Sequence, residues 1–199
     1  MKEKKMKIVA AFALEDEVVP IVWPGADVKT IVTGIGKVQA AISVAKAILC
    51  ERPQLVMNVG TAGTLDHQVG DILVCTRFID RDLKGISIQG IVSELDTSNA
   101  VSLRFPSVIS GMEEKVEQRI VSTGDNFVTT ESPHDGDVVD MEAFAEAMAC
   151  VEAEGVQFFS VKYVTDIIGQ NSVNAWKEKL AAAREGLDTY FRKYLQERS

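Results

Sequence analysis

The chain has 199 residues, of which 46% are hydrophobic and 25% are charged, a composition typical of a globular protein with one sizeable core. Its formal net charge of -8 argues against nucleic acid and against an anionic membrane as the main partner. No apolar run is long enough to span a membrane, and two histidines are too few for a histidine-based metal cluster. The three cysteines are scattered, so we expect reduced core thiols in a cytoplasmic protein at Cys50, Cys75 and Cys150.

The first predicted strand is the run 7–13, whose continuous apolar character is typical of a strand buried on both faces. Three acids follow it, and Glu17 is the last of them. Acids at this point either open a helix, where negative charge is favoured, or bring one carboxylate to a pocket. The residues alone favour the start of a helix.

A second predicted strand over residues 28–32 leads through two glycines into a helix that ends near Cys50. Gly34 and Gly36 suggest a phosphate-binding turn, but the third glycine of the dinucleotide motif and the Ser or Thr of the phosphate loop are missing. We therefore predict a tight strand-to-helix turn that a ligand can approach closely. The predicted apolar face of the helix consists of Val38, Ala41, Ile42, Ala45, Ile48 and Leu49.

A central strand is predicted over residues 55–59, and a loop of small residues over 60–64 follows it. Backbone amides and the Thr61 hydroxyl can face a ligand there, although a tight turn without a ligand fits the composition equally well. Another strand is predicted over 69–74, and the polar residues from Arg77 onward indicate a loop.

The pattern weakens between residues 83 and 112, where strand-like alternation is confined to 86–88 and to part of 100–109. The next predicted strand covers residues 117–122, and a polar segment containing Phe127 follows it. An aromatic side chain at the end of a strand suits a flat ring as ligand, although the residue type alone favours a place in the core.

Acidic residues mark the ends of two further predicted strands. Asp140 and Glu142 follow a short apolar run, and an extended backbone there would project both carboxylates to the same side. Asp166 lies just past the predicted strand 157–164. Because open α/β sheets bind ligands outside the carboxyl ends of their strands, these three acids are candidate site residues. It fits equally well that Asp140 caps the helix predicted over 143–150 and that Glu142 favours its first turn.

The last predicted element is a helix over residues 174–196, which packs on the sheet through side chains at helical spacing. These side chains are Leu180, Leu187, Tyr190, Phe191, Tyr194 and Leu195. Strands that alternate with helices predict a single three-layer α/β domain over residues 1–199.

Seven short motifs, in order along the chain, resemble those of the nucleoside phosphorylase and nucleosidase superfamily, and above all those of 5'-methylthioadenosine/S-adenosylhomocysteine nucleosidases. The motifs are ALEDEV (13–18), TGIGKV (33–38), NVGTAG (58–63), VGDI (69–72), TGDNFV (123–128), VDMEA (139–143) and VTD (164–166). The resemblance implies an αβα domain with a mixed central sheet. It also implies a purine nucleosidase that hydrolyses the N-ribosidic bond of an adenine nucleoside.

The resemblance assigns proton transfers to two carboxylates. Cleavage of the N-ribosidic bond develops positive charge on the ribose and negative charge on the leaving base. Asp166 matches the general acid that protonates the base at N7, a role that needs a bound proton and is favoured in a dry pocket. Glu17 matches the carboxylate that activates water. Each such proton transfer is worth roughly 10²- to 10⁴-fold in rate.

The resemblance also implies how the substrate is held. Glu142 would bind the ribose hydroxyls through charge-assisted hydrogen bonds, and Phe127 would stack on the purine. The implied substrate-binding residues are Thr61, Ala62, Gly63, Phe127, Val128, Asp140, Met141, Glu142 and Lys162. We expect no metal and no organic cofactor. The expected partners are a purine nucleoside and further copies of the chain in a homodimer or larger homo-oligomer.

Two positions favour water over phosphate as the acceptor of the ribose. Phosphorylases of the superfamily carry cationic groups for phosphate there, whereas this chain has the acids 15–17 at one position and the neutral Asn58 at the other. The resemblance therefore favours hydrolysis, with a purine nucleoside phosphorylase as the alternative.

Three departures from the family pattern bear on the substrate. Asp140 is one methylene shorter than the usual glutamate, and Lys162 stands where an arginine is usual. The chain is also shortened between residues 83 and 117, where the family places part of the pocket for the 5' substituent. A futalosine-type hydrolase and a non-catalytic nucleoside-binding relative are therefore further alternatives.

Overall fold

The computed structural model describes residues 5–99, 119–130, 135–169 and 172–196, so the alternation within 100–109 lies outside it. The strands are β1 (Met6–Phe12), β2 (Ala26–Val32), β3 (Leu55–Thr64), β4 (Ile72–Asp80), β5 (Glu94–Asp96), β6 (Arg119–Thr123), β7 (Val138–Asp140) and β8 (Gln157–Ile167). The main helices are α1 (Lys37–Glu51), α2 (Ala143–Glu152) and α3 (Ser172–Phe191), with a 3₁₀ turn at Glu15–Glu17 and a π-helical end at Arg192–Gln196.

The described strands form one mixed sheet. Strand β1 pairs in parallel with β2 and β3, and β3 pairs in parallel with β8 over ten residue pairs. Strand β8 continues antiparallel to β4, which pairs in parallel with β6, and β6 in parallel with β7. The pair between Gly63 and Val139 returns β7 to β3, so five strands close into a ring. This arrangement confirms the predicted mixed sheet.

The two faces of the sheet pack against different helices. Along β1, Ile8 and Phe12 face the core that α3 covers, whereas Val9 and Ala11 face the core that α1 and α2 cover. Leu187 of α3 is fully buried in the first core, which confirms the predicted apolar face of that helix. The protein therefore has the predicted three layers. Within the described ranges, no helix combines the length and the apolar character that a membrane span requires.

Helix α1 turns a different face to the sheet than the sequence predicted. Its buried side chains are the small or branched residues Ala40, Val44 and Ala47, whereas Val38 is 67% exposed and Leu49 is 77% exposed. Residues with little side-chain volume let the helix lie close to the sheet and α2, so most of the larger apolar side chains point outward. Ile48 is the member of the predicted face that packs, partly buried, against the core. All three cysteines are free thiols, but Cys50 on this helix is exposed, contrary to the expectation of a core position.

Three strand ends lie further along the chain than predicted. The small residues expected to form a loop at 60–64 belong to β3, which stays paired with β8 to its end. Strand β4 includes Arg77, which was expected to begin a loop, and β8 includes Asp166. Residues 86–88 are not a strand. Pairing partners far along the chain satisfy the backbone of these extensions, and a local pattern does not reveal such partners.

Candidate active site

A cavity of about 160 Å³ lies where β3, β7 and β8 end, and all eleven residues that the sequence assigned to the site line it. The 3₁₀ turn after β1 supplies Glu17, and the segment after β6 supplies Phe127 and Val128. Strand β3 supplies Thr61, Ala62 and Gly63, strand β7 and the turn after it supply Asp140, Met141 and Glu142, and β8 supplies Lys162 and Asp166. The motifs scattered over the sequence therefore converge on one site.

Glu17 faces this cavity from the 3₁₀ turn Glu15–Glu17. The sequence favoured the start of a helix at these acids, and the helical structure is limited to this one turn. Its carboxylate is 4% exposed. The Oε1 atom accepts hydrogen bonds from the backbone N–H of Thr61 at 3.0 Å and from its hydroxyl at 2.6 Å. The Oε2 atom is buried and has no hydrogen-bond partner among the described residues. One oxygen is therefore held, and the other is available to a ligand.

A bulge in β8 sets the position of Asp166. Between the pairs Ala62–Val164 and Gly63–Asp166 the register shifts, and Thr165 is the extra residue. The Thr165 hydroxyl donates to Asp166 Oδ1 at 2.9 Å and lies 3.3 Å from the Ala62 carbonyl. The bulge thus turns the buried Asp166 side chain toward the cavity that it lines.

Strand β3 passes close to both carboxylates because it carries glycine at the two points of contact. A Cβ atom at Gly60 would stand 3.3 Å from both oxygens of Glu17, and one at Gly63 would stand 3.0 Å from Asp166 Oδ2. Both distances are tighter than ordinary van der Waals contact. The small residues of the NVGTAG motif therefore make room for two acids in one cavity.

Glu142 is tied to the turn before α1. Its Oε1 accepts a hydrogen bond of 3.0 Å from the backbone N–H of Gly36, which adopts φ 94°, so the predicted tight turn is confirmed. Burial and the negative charge of the neighbouring Asp140 raise the pKa of Glu142 to about 7. The positive charge of Lys162 opposes this shift, because it favours the charged form of Glu142. Glu142 therefore holds a proton at higher pH than an ordinary glutamate does.

Asp140 lines the cavity, but the protein already occupies both of its carboxylate oxygens. Oδ1 accepts from the Thr123 hydroxyl, and Oδ2 accepts from the backbone N–H of Ala143 at 2.9 Å and from Lys162 Nζ at 2.8 Å. The contact with Ala143 is the helix-capping contact that the sequence offered as an alternative. Burial opposes the charged form of Lys162, but the acids around it outweigh this effect and raise its pKa above the ordinary value.

The sequence did not identify Glu146, which lies one helical turn after Glu142 and is 0% exposed. Neither of its oxygens has a partner within hydrogen-bond distance among the described residues, although the Asn58 amide is close enough to favour the charged form. Burial raises the pKa of Glu146 to about 8. The positive charge of Lys162 acts to lower this pKa, whereas the negative charges of Glu142 and Asp140 act to raise it. No motif pointed to it, because a glutamate in a helix is ordinarily exposed.

Phe127 is 37% exposed and lines the cavity, so the core position that its residue type favoured is wrong. Its ring packs edge-on against Trp176 of α3, with centroids 6.1 Å apart. Trp176 was also missed by the sequence analysis, and its Nε1–H donates to the Thr61 hydroxyl at 2.9 Å. A tryptophan in a helix far from any motif gives no signal of a site, and only the fold brings it to the cavity.

Arg81 also lines the cavity and was missed by the sequence analysis. Its guanidinium donates to the carbonyl oxygens of Ser122, Asp140, Gly124 and Asn126. Burial lowers the pKa of Arg81 below its ordinary value, although the negative charges of four nearby aspartates act to raise it. These contacts use the guanidinium to hold the segment that leads to Phe127.

Comparison with known proteins gives a family and a fold. A family model described as the phosphorylase superfamily matches residues 19–196. The 5'-methylthioadenosine/S-adenosylhomocysteine nucleosidase of Marinomonas sp. is 29% identical over 181 residues, which cover 82% of this chain and 78% of the relative. The enzyme of the same name from Colwellia psychrerythraea is 31% identical over 189 residues, which cover 80% of this chain and 74% of the relative.

Solved structures of similar shape cover nearly the whole chain. The Helicobacter pylori 5'-methylthioadenosine/S-adenosylhomocysteine nucleosidase with butyl-thio-DADMe-Immucillin-A has a TM-score of 0.82 at 19% identity and covers 98% of this chain and 100% of that one. The native futalosine hydrolase of Helicobacter pylori has a TM-score of 0.81 at 18% identity, covering 96% and 98%. The Colwellia psychrerythraea nucleosidase in complex with adenine has a TM-score of 0.74 at 24% identity, covering 96% of each chain. At these identities the likeness concerns the fold.

Proposed function

The chain belongs to the phosphorylase superfamily and is a nucleosidase, and on that premise we propose that it hydrolyses the N-ribosidic bond of an adenine nucleoside such as 5'-methylthioadenosine or S-adenosylhomocysteine. The observation that carries this proposal is the pair of buried carboxylates, Glu17 and Asp166, that face one cavity across β3. We place the activity in the cytoplasm, because the three cysteines are free thiols, as in a reducing compartment.

The two carboxylates have complementary tasks in this reaction. Asp166 donates a proton to the leaving base, so that the base departs as a neutral molecule. Glu17 takes a proton from the attacking water, whose oxygen bonds to the anomeric carbon. The positions of both groups are set before substrate arrives, Glu17 by Thr61 and Asp166 by Thr165. Such preorganisation lowers the cost of reaching the transition state.

Glu142 and Phe127 are the groups that we assign to substrate binding. A carboxylate that is deprotonated accepts hydrogen bonds from vicinal ribose hydroxyls. Among the described residues, the partner of Glu142 Oε2 is the Met141 N–H, in a weak contact of 3.3 Å that leaves this oxygen available. The half-exposed ring of Phe127 offers a face or edge to a purine. Asp140 and Lys162, by contrast, form an ion pair with each other at 2.8 Å, which stabilises the wall of the cavity.

The charges around the cavity favour water over phosphate. The cations among the described cavity residues are Arg81 and Lys162. Arg81 is bonded to backbone carbonyls, and Lys162 is paired with Asp140. A dianion would therefore meet Glu17 and Glu142 without a cation to neutralise it. Hydrolysis is the reaction that this electrostatic environment supports.

The first experiment is adenine release from 5'-methylthioadenosine, S-adenosylhomocysteine and adenosine, in buffer with and without phosphate. We expect release without phosphate, with a free sugar as the second product. Release that requires phosphate and yields a sugar 1-phosphate would make the protein a phosphorylase. Futalosine is assayed beside them for release of its base, and release from futalosine with none from the three adenine nucleosides would change the substrate. Tight binding without turnover would make the protein a nucleoside-binding relative.

The role of Asp166 is tested by Asp166→Asn, which keeps the shape of the side chain and removes the acidic proton. We expect adenine release to fall by roughly 10²-fold or more, because general acid catalysis is worth about that much. The melting temperature shows whether the variant remains folded. Adenine release at the wild-type rate from a folded Asp166→Asn protein would contradict the assignment.

A homodimer is part of the same proposal. The large apolar side chains that α1 turns to solvent form a stripe along the helix, and Ile35 at the helix start also lines the cavity. The members of the stripe are Ile35, Val38, Ile42 and Leu49. A row of exposed apolar side chains that begins at the cavity suits a second copy of the chain better than solvent. Sedimentation velocity should give a mass near twice 21.7 kDa, and a mass near 21.7 kDa at micromolar concentration would contradict it.

A further inference from the structure

Trp176 makes a directed polar contact inside the cavity, beyond the packing of its ring. Its Nε1–H lies 2.9 Å from the Thr61 hydroxyl oxygen, and the hydroxyl in turn lies 2.6 Å from Glu17 Oε1. The three side chains come from α3, β3 and the 3₁₀ turn, so only the fold brings them together. They form a chain of hydrogen bonds that ends on the carboxylate to which we assign water activation.

The chemistry of the three groups fixes the direction of this chain. An indole N–H can only donate, so the Thr61 oxygen accepts from Trp176. A hydroxyl has one proton, and Glu17 as a carboxylate can only accept, so the Thr61 proton points to Oε1. Donation by Trp176 also polarises the hydroxyl, which makes it a better donor to Glu17. The indole therefore determines where the only hydroxyl proton of Thr61 goes.

The effect on Glu17 is to make its two oxygens different. Oε1 accepts two hydrogen bonds, from the hydroxyl and from the backbone N–H of Thr61 at 3.0 Å. Oε2 is buried without a partner among the described residues. An unpartnered buried carboxylate oxygen is costly unless a ligand pairs with it, and Glu17 lines the cavity in which a ligand would lie. Oε2 is thus the oxygen left to receive a proton.

We propose that Trp176 is a positioning residue for Glu17, which it holds through the Thr61 hydroxyl so that Oε2 faces the attacking water. The inference rests on the proposed nucleosidase function. In the step that it serves, water gives one proton to Oε2 while its oxygen bonds to the anomeric carbon. The carbon–nitrogen bond breaks, its electron pair goes to the base, and the base takes the proton of Asp166.

A purely structural role for Trp176 is the competing explanation, because its ring also packs against Phe127. Trp176→Phe separates the two roles, since it keeps an aromatic ring and removes the N–H. A positioning role predicts a fall in kcat with little change in KM, whereas loss of a cavity wall predicts weaker binding. We expect kcat for adenine release to fall about tenfold, the effect of one hydrogen bond, and KM to stay within about twofold.

The double variant gives the sharper test. Thr61→Val removes the hydroxyl at nearly constant volume, and in that background Trp176→Phe should cost nothing further, because the chain is already broken. Thr61→Ser keeps the hydroxyl and should retain the sensitivity to Trp176→Phe. The matched control is Trp23→Phe, which changes the other tryptophan of the chain, outside the cavity, and should leave kcat unchanged.

The outcomes separate this inference from the proposed function. A wild-type protein that releases no adenine from any nucleoside would overturn both. If the wild type is active and Trp176→Phe lowers kcat equally in the wild-type and Thr61→Val backgrounds, the positioning role alone is overturned. The affinity for adenine, measured by calorimetry, should be the same in wild type and Trp176→Phe, and a loss of affinity that accounts for the loss of rate would also overturn it.

Discussion

Two lysines of the described chain each face three carboxylates, one group partly exposed to solvent and the other in the interior. The outer cluster consists of Lys37, Asp80, Asp82 and Asp125. The inner cluster consists of Lys162, Asp140, Glu142 and Glu146. With one positive and three negative groups, each cluster has the same formal charge of -2.

Asp82 of the outer cluster and the two glutamates of the inner cluster nevertheless have pKa values shifted in opposite directions. In the outer cluster, burial raises the pKa of Asp82, but the hydrogen bonds from Lys37 and from the backbone N–H of Asp125, with the charges of Lys37 and Arg81, together outweigh it, and the pKa falls below its ordinary value. In the inner cluster, burial dominates and raises the pKa of Glu142 to about 7 and that of Glu146 to about 8. Access of water decides the outcome, because a single lysine cannot neutralise three carboxylates where water is absent. The inner cluster therefore holds a proton near neutral pH beside the cavity.

The largest effect should come from Lys162→Met, which removes the only cation of the inner cluster. The variant leaves the Asp140 carboxylate buried without its ion pair, and we expect a loss of about 3–5 kcal/mol in the free energy of unfolding. Lys162→Arg is the matched control, because it keeps the charge and should lose less. Urea denaturation at one protein concentration measures both. A loss under about 1 kcal/mol in Lys162→Met would show that water reaches the inner cluster.

A second effect is the dependence of stability on pH. The ordinary pKa of a glutamate is 4.5, and folding raises it to about 7 at Glu142 and about 8 at Glu146. The folded state therefore binds these protons more tightly, so their contribution to stability is complete below about pH 4.5 and is lost as the pH rises toward 8. We expect the free energy of unfolding to fall between pH 5.5 and 8.5, by at most about 1.4 kcal/mol per pH unit for each group.

Glu146→Gln isolates one of these groups, because glutamine keeps the shape and stays neutral in both states. The fall in stability with pH should become shallower in this variant. Glu152→Gln, at an exposed position on the same helix, is the control that should leave the slope unchanged. Equal slopes in wild type and Glu146→Gln would show that Glu146 carries no proton in the folded state at neutral pH.

The contrast between the clusters also explains what the sequence predicted well. Glu142 and Asp166 were candidates because they follow predicted strands, whose carboxyl ends meet at one edge of the sheet. Glu17 was assigned to the site only through the resemblance of its motif to the family. The alternation of strands and helices likewise predicted the layers. The layers could be predicted because each strand and helix is recognisable from its local sequence pattern, and because their order along the chain is fixed.

Features that depend on distant contacts could not be predicted in this way. Glu146 is buried because α2 packs on the sheet beside Lys162, and Trp176 reaches Thr61 across 115 residues of sequence. The outward apolar stripe of α1 was misassigned because the size of side chains, and not their hydropathy, decides which face lies close to the sheet. In each case the deciding neighbour is far along the chain.

The smallest effect should come from Lys37→Met in the outer cluster, where water is present. Lys37 Nζ lies 2.7 Å from the half-exposed Asp82, and an exposed ion pair of this kind contributes only about 0–1 kcal/mol. It also lies 3.0 Å from the buried Asp80, which keeps hydrogen bonds from the backbone N–H groups of Asp82 and Leu83 after the change. Lys37 is also the first residue of α1, and a cation at a helix N-terminus opposes the helix dipole, so its removal gives back part of that loss. Its backbone N–H still donates to Asp125 after the change, which keeps the segment before Phe127 in place.

Urea denaturation should therefore show a loss under about 1 kcal/mol in the free energy of unfolding of Lys37→Met. This loss should shrink further in 1 M salt, while the loss in Lys162→Met should hardly respond to salt. A salt-insensitive loss of several kcal/mol in Lys37→Met would mean that the two clusters are alike, and that burial is not what separates them.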